Sequence, residues 1–445
     1  MKLSKNSESL ISFFLDNKII NISPSYLKEN NKRIIPIIQN FHKEIIDSEN
    51  FLREQKKRTY KETGRPFYEY SVRSIVSPSQ ISKPVNFSGK FLPEEVLSHI
   101  EKYSLTEITY KMRYINRICT FCFTVEDPID NIHIKTYDRY VDQMLLWLHI
   151  MNKYASPRCS TIFKVYLYFT SLEKRKPTTS SGMYETDNIL GSNHVNTAFT
   201  TVCPVVSDIV LFRKEEWYKV FIHETFHNFA LDFSGMNNTE TNRQILQMFP
   251  VKSEVNIFES YTEFWAEILH AMFCSYFLTN KTKKEDRNGT KFVNTSLFLI
   301  QLERTHSFFQ MVKTLDHMNI TYKELVGFQT QGQNNFVNEK YKEDTSVLAY
   351  YIVKTVLFDK YQDFILWCKR NNEHLFDFKN TMDNQRAFVE FIRQRYRSRG
   401  FLSDVSVMET IYPLLKREMS MGKKTRNKKL EYLMENMRMS ICEMG

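Results

Sequence analysis

The amino-acid sequence predicts an α+β protein in which a small sheet-bearing region joins a larger helical lobe. Three observations predict it. Apolar residues recur at helical spacing over most of the chain. Strict apolar–polar alternation is confined to a few short segments before residue 213. Gly (11) and Pro (12) are scarce, which disfavours β-rich repeats, glycine-dependent phosphate loops and long linkers.

A chain of 445 residues is about three typical domains long. With 42% hydrophobic, 25% charged and 14% aromatic residues it has ample material for a core, and disorder as the main state is excluded. Residues 1–62 read as helical, with Leu10, Ile11, Phe13, Phe14 and then Ile37, Ile38, Phe41, Ile45 at helical spacing. Pro66, Pro78, Pro84 and Pro93 mark residues 63–95 as an extended connector. Strand is predicted over 105–124 and a long amphipathic helix over 134–154. Phe163, Val165, Leu167 and Phe169 alternate through a strand at 161–170. After a polar loop, 173–188, come two short strands, 194–201 and 207–213, and a helix from Lys214. Beyond residue 253 the pattern is helical, at 256–278, 292–315, 344–370, 385–396 and 404–420. The resulting division is 1–95, helical region and connector; 96–280, core; 281–420, helical lobe; 421–445, basic tail.

Net charge is +10, from 61 Lys+Arg against 51 Asp+Glu, a mild excess over this length. Lys416, Arg417, Lys423, Lys424, Arg426, Lys428 and Lys429 concentrate it near the end. They read as a solvated basic tail, with nucleic-acid contact through the tail as the alternative. Seven scattered cysteines, an odd number, argue against a disulfide framework and for a reducing compartment. Cys119 and Cys122 form a CxxC without a second pair, inside an expected strand, so neither a redox nor a metal role is expected there. The first residues are polar where a signal peptide is apolar, and no run approaches the ~20 apolar residues of a membrane span. The expectation is a soluble cytoplasmic protein without a membrane partner.

Chemistry concentrates in the helix from Lys214. His223 and His227 are four apart, hence one turn apart on one face, and both imidazoles can reach one ion at ~2.0–2.1 Å. Glu224, beside the first, can reach a metal-bound water without ligating; this is the H-E-x-x-H arrangement of zinc peptidases. Trp217, Val220, Phe221, Ile222, Phe226, Phe229, Leu231 and Phe233 make the helix apolar nearly all round and therefore buried. Two histidines and a glutamate buried without partners would cost several kcal/mol, and a metal removes that cost.

A catalytic zinc needs a third protein ligand and an open position. Ala230 and Phe233 stand where the metzincin continuation requires Gly and His, so that branch is excluded. The next acidic helix carries Glu259, Glu263 and Glu267 at successive i, i+4 positions among Phe264, Trp265, Ile268 and Leu269. Glu263 is the preferred ligand, with Glu259 one turn earlier and His270 as alternatives. Glu267 is expected to accept the free N–H of a zinc-bound histidine, His223 first among them.

At these motifs the sequence resembles the gluzincin branch of zinc metallopeptidases, in which H-E-x-x-H is followed by a glutamate helix. Glu263-Phe-Trp-Ala-Glu267 resembles the E-F-F-A-E pattern of certain bacterial toxin metallopeptidases, whose first glutamate ligates zinc. The string from Asn193 to His227 is also similar to metallopeptidases encoded by large nucleocytoplasmic DNA viruses, which implies a viral protein in host cytoplasm. The resemblance covers about 194–275. It implies a zincin-like catalytic domain followed by a helical C-terminal lobe, one Zn2+, and an antiparallel edge strand that holds peptide main chain, here through Asn196 and Ala198. The 35 residues between His227 and Glu263 exceed the thermolysin-like spacing, so detailed specificity does not carry over.

The expected function is zinc-dependent hydrolysis of peptide bonds in a peptide or protein substrate, with Glu224 as general base. Tyr350, Tyr351, Arg304 and His306 are candidates to stabilise the oxyanion. The alternatives are an inactive zincin-like module that binds zinc and a partner, a hydrolase of non-peptide amides, and a nucleic-acid-associated protein with structural zinc.

Overall fold

The computed structural model describes residues 2–20, 24–85, 87, 92–177, 189–279, 289–327, 331–421 and 428–445. The chain opens with α1 (Lys5–Asp16), α2 (Pro24–Thr63), β1 (Glu69–Ser74) and α3 (Glu94–Tyr103). The hairpin β2 (Thr106–Tyr114) and β3 (Arg117–Val125) follows, then α4 (Ile134–Met151) and β4 (Ile162–Phe169). Next come the short α5 (Ser192–Val195), β5 (Ala198–Phe199), β6 (Val206–Leu211) and α6 (Trp217–Asn228). The rest is helical: α7 (Thr239–Met248), α8 (Phe258–Thr279), α9 (Thr290–His317), α10 (Tyr322–Leu325) and α11 (Gln331–Lys340). A π-helical turn, Leu348–Val353, leads into α12 (Lys354–Asp359) and α13 (Tyr361–Asn371). α14 (Met382–Arg393), α15 (Arg399–Ser420) and α16 (Lys428–Glu435) complete the chain. The α+β class is as expected.

Two compact units form, each from separated stretches, and they cut across the consecutive segments suggested by the sequence. One comprises 37–173 and 197–235; the other comprises 1–36, 174–196 and 236–445.

The first unit holds the six-stranded sheet, in the order β1-β2-β3-β4-β6-β5. β1, β2 and β3 pair antiparallel, β3, β4 and β6 pair parallel, and β5 closes the edge antiparallel to β6. Phe163, Val165 and Leu167, the alternating residues of β4, are fully buried. Phe163 meets Phe221 and Phe229, so the inner face packs on the segment of α6. Part of the outer face is covered by Ile75, Ile81, Leu92, Val96 and Ile100, which cluster with Tyr168, Val210 and Phe212. The connector at 63–95 therefore contains an edge strand and begins α3. β1 escaped the pattern because its residues are mostly exposed and carry no apolar alternation.

Two further expectations are corrected here. Residues 194–201 are not a continuous strand: a helical turn occupies Ser192–Val195 and only Ala198–Phe199 pair with β6. Nor are the cysteines all free, since Cys159 and Cys203 form a disulfide across 44 residues. The parallel register Ile162↔Val206 sets the two chains side by side, and each cysteine lies three residues before its register partner. Separation along the chain conceals that proximity. Cys119 and Cys122 are free and buried within β3, and burial pushes both thiols up to about 12.

In the second unit the chain's last residues correct another expectation. Lys423, Lys424 and Arg426 lie outside the described residues, as does 178–188 of the polar loop. Lys416, Arg417, Lys428 and Lys429 are exposed, as a solvated basic cluster predicts, but the segment after them is docked rather than solvated. Leu430, Leu433, Met434, Met437, Ile441 and Cys442 are buried. Glu303 on α9 accepts from the Ser440 hydroxyl (2.7 Å) and the amides of Ile441 (2.9 Å) and Cys442 (3.0 Å). Gln310 and Tyr351 donate to the Arg438 and Met437 carbonyls, both at 2.6 Å. Backbone groups that a buried, irregular segment would leave orphaned are thus met by side chains.

Glu343, in the loop before the π-helical turn, accepts from the Tyr341 hydroxyl (2.9 Å) and the Leu348 amide (2.7 Å). Burial raises its carboxyl to about 7 against the pull of those bonds. The folded protein then holds a proton that the unfolded chain has released, so this contribution to stability is present below the unfolded carboxyl's value and lost as pH rises through about 7. From about pH 6 to about pH 8 the loss should be about 1 kcal/mol, and chemical denaturation across that range should show it in wild type and a flatter profile in Glu343→Gln.

Candidate metal centre

The position of α6 is set before its chemistry is considered. Trp217, at its first turn, packs on Tyr140 (4.9 Å between ring centroids) and Phe169 (5.7 Å). At the next residue the Tyr218 hydroxyl donates to the Gln143 carbonyl at 2.8 Å. Trp147 stacks on Phe226, and its indole N–H donates to the Thr225 hydroxyl at 2.7 Å. At the other end Asn228 is bonded to Ser160 and Thr200. Every residue of α6 is buried, as its all-round apolar pattern predicts. Contacts along its whole length fix the axial rotation and hence the direction in which the histidines point.

His223 and His227 project from one face, their rings 4.9 Å apart and their Nε2 atoms 3.1 Å apart. Two nitrogens on one tetrahedral ion at ~2.0–2.1 Å would stand ~3.3–3.4 Å apart, so the pair is close to a ligand geometry. His227 Nδ1 faces Asp232 Oδ2 at 2.5 Å and donates to it, which leaves Nε2 as the acceptor nitrogen. The Ser234 hydroxyl and amide hold the other Asp232 oxygen, at 2.6 and 3.1 Å. Burial raises the Asp232 carboxyl, but the charge and hydrogen bond of His227 and the Ser234 bonds outweigh it and leave it below the usual range. Asp232 was not singled out in the sequence. Its signal, an acid five residues after the second histidine, becomes an imidazole partner only because Ala230, in the left-handed region at φ 54°, turns the chain back on the helix end.

His223, His227 and Glu259 bring one ligand atom each to within 4.8 Å of one another, and this group can hold a metal ion. The one carboxylate in the group is that of Glu259, one turn before the preferred Glu263. Spacing alone does not separate them, because positions four apart share a face and only the placement of the helix selects among them. Glu263 and Glu267 are both buried. The partner shown for Glu267 is Lys354 Nζ at 2.5 Å, in an almost fully buried ion pair. The carboxylate seen on a site imidazole is Asp232, on His227. Glu224 is buried beside His223 on α6.

The other candidates separate. Ala198 lies on the edge strand β5. Asn196 lies outside it, at the end of α5, and its Oδ1 accepts from Thr345 at 2.8 Å. Tyr351 donates to Met437, Arg304 pairs with Asp359 and Asp404, and His306 Nδ1 meets the Met439 carbonyl, so three of the four oxyanion candidates serve the interior of the second unit. Tyr350 is half-buried in the π-helical turn.

No protein-family model, curated protein or solved structure matches the chain.

If Asp232 orients His227 and raises its basicity as a ligand, Asp232→Ala should weaken binding of a divalent metal by ~10–100-fold. Competition with a chromogenic chelator measures this, and unchanged affinity would remove Asp232 from the site.

Proposed function

We propose that the protein is a zinc-dependent hydrolase of peptide bonds, with His223, His227 and Glu259 as protein ligands and Glu224 as general base. The observation that carries the reading is the convergence of two imidazole nitrogens 3.1 Å apart with a carboxylate from another helix, next to a buried Glu224. Two imidazoles and one carboxylate match the three-ligand set of catalytic rather than structural zinc, a class of site that keeps one position for water or substrate.

Zinc bound there would polarise a scissile carbonyl and lower the pKa of a water toward ~7. Glu224, beside His223, would act as general base toward water and then as general acid toward the departing amine nitrogen, so one carboxylate would serve both roles. Asp232 keeps the His227 proton on Nδ1 and the ring fixed in plane. Ala198 and Phe199 on β5 offer the outer edge of the sheet to an extended peptide by main-chain pairing, which selects peptides by backbone rather than by side chain. Support for peptide as the substrate comes from this antiparallel edge and from the gluzincin resemblance at the two motifs.

Metal content by inductively coupled plasma mass spectrometry, paired with a quenched-peptide assay, tests the reading. Wild type and Glu224→Gln should each retain about one zinc per chain, with turnover in Glu224→Gln reduced by at least ~100-fold. Glu259→Ala should lose zinc, whereas Glu263→Ala should keep it. Loss in Glu263→Ala alone would return the third ligand to the later turn, and a wild type unable to bind zinc would end the proposal.

A further inference from the structure

Asn228 follows the second histidine directly, and its side chain is held from two loops at once. Ser160 Oγ donates to its Oδ1 at 2.5 Å. Its Nδ2 donates to Thr200 Oγ1 at 2.9 Å and to the Thr201 carbonyl at 3.3 Å. The disulfide Cys159–Cys203 joins these same two loops, with one cysteine beside Ser160 and the other two residues after Thr201. The Ser160 amide also bonds the Pro204 carbonyl at 2.6 Å. The second loop begins where β5 ends, so one cross-link moors both the last residue of α6 and the proposed substrate edge.

Two further facts point the same way. Ser160 (φ 56°) and Cys203 (φ 46°) both sit in the left-handed region, which non-glycine residues seldom occupy unless their surroundings hold them there. Cys159 is fully buried, whereas Cys203 is only half-buried, so one sulfur is within reach of a small reductant.

We propose that Cys159–Cys203 is a redox-controlled clamp on the end of α6 and on β5. A dithiol reductant transfers two electrons and two protons to the bridge. The S–S bond breaks, Cys159 and Cys203 become thiols, and the reductant closes its own disulfide. The 200–205 loop is then free to relax its left-handed cysteine, Asn228 loses the fixed spacing between Ser160 and Thr200, and the last turn of α6, which carries His227, loosens. The clamp itself is independent of the proposed function; only its consequence for zinc rests on that reading.

Hydrogen exchange of the full-length protein, before and after treatment with tris(2-carboxyethyl)phosphine, tests this, with alkylation and mass measurement counting thiols in the same samples. The oxidised chain should show five thiols and the reduced chain two more. Reduction should speed exchange at 198–203 and 226–229 by ~10-fold or more, and Cys203→Ser should exchange fast whether reductant is present or not. Ser160→Ala with the bridge intact should loosen 226–229 alone. Seven thiols in the untreated protein, release of two thiols without faster exchange at 226–229, or an unaltered 226–229 in Ser160→Ala would each overturn the proposal. Zinc should dissociate faster from the reduced protein; failure to bind zinc in either state, with the exchange difference intact, would sink the metal reading and leave the clamp standing.

Discussion

The structure is organised around a helix that buries polar side chains it cannot satisfy by itself. α6 carries His223, Glu224, His227 and Asn228 among aromatic and aliphatic residues, with no solvated face. A polar group buried without a hydrogen bond costs from about 1 to several kcal/mol, and four in adjacent turns would use much of a domain's net stability. Each of the described answers comes from outside the helix: Asp232 turns back onto His227, and Ser160 and Thr200 reach Asn228. Aromatic packing of Trp217, Tyr218 and Phe226 provides the rigidity that keeps those bonds in register. A site that depends on sub-ångström placement gains from a helix whose rotation is fixed at both ends.

A second burial follows a similar logic and has a different use. Lys354 and Glu267 form an almost fully buried pair, and Glu303, Gln310, Lys313 and Tyr351 meet the backbone of the chain's last residues. Such pairs seldom add net stability over apolar packing, yet breaking one partner is costly. Their effect is to specify one arrangement of helices that are apolar on several faces. α8 is apolar nearly all round, so hydrophobicity alone would let it rotate. The Lys354–Glu267 pair fixes which side of that helix faces α12, and so in part where Glu259 and Glu263 lie.

How far the sequence disclosed this depends on whether the signal was local. The helices at 134–151, 258–279 and 290–317 and the strand at 162–169 were legible, because burial imposes a period on the residues themselves. His223, Glu224 and His227 were legible for the same reason, as spacing on one helix places them. β1 was not, since an exposed edge strand such as Glu69–Ser74 imposes no alternation. The choice between Glu259 and Glu263 was not either: three glutamates four apart are equivalent on an isolated helix. Asp232 lies five residues from His227, yet its role depends on a left-handed turn at Ala230 that neither composition nor spacing signals. The disulfide needed the register of two parallel strands, which is knowledge of the sheet rather than of either cysteine.

The features hidden from the sequence are those that position the visible ones. H-E-x-x-H specifies which atoms meet, but a motif of this length cannot hold its own geometry. Asp232 fixes one ring, Asn228 fixes the turn that carries it, and Cys159–Cys203 fixes the loops that hold Asn228. The support outside the motif bridges long separations: five residues from Asp232 to His227, but 28 and 68 from Asn228 to Thr200 and Ser160, and 44 across the disulfide. Placement by distant contacts costs loop-closure entropy, which grows only logarithmically with length, so a fold can recruit remote support at little extra cost. The same dependence makes the site responsive. On the proposed reading, a two-electron change at the bridge would reach the imidazole of His227 through Ser160 and Asn228, without altering any residue of the candidate site. A motif carried on an unsupported helix would have no comparable input.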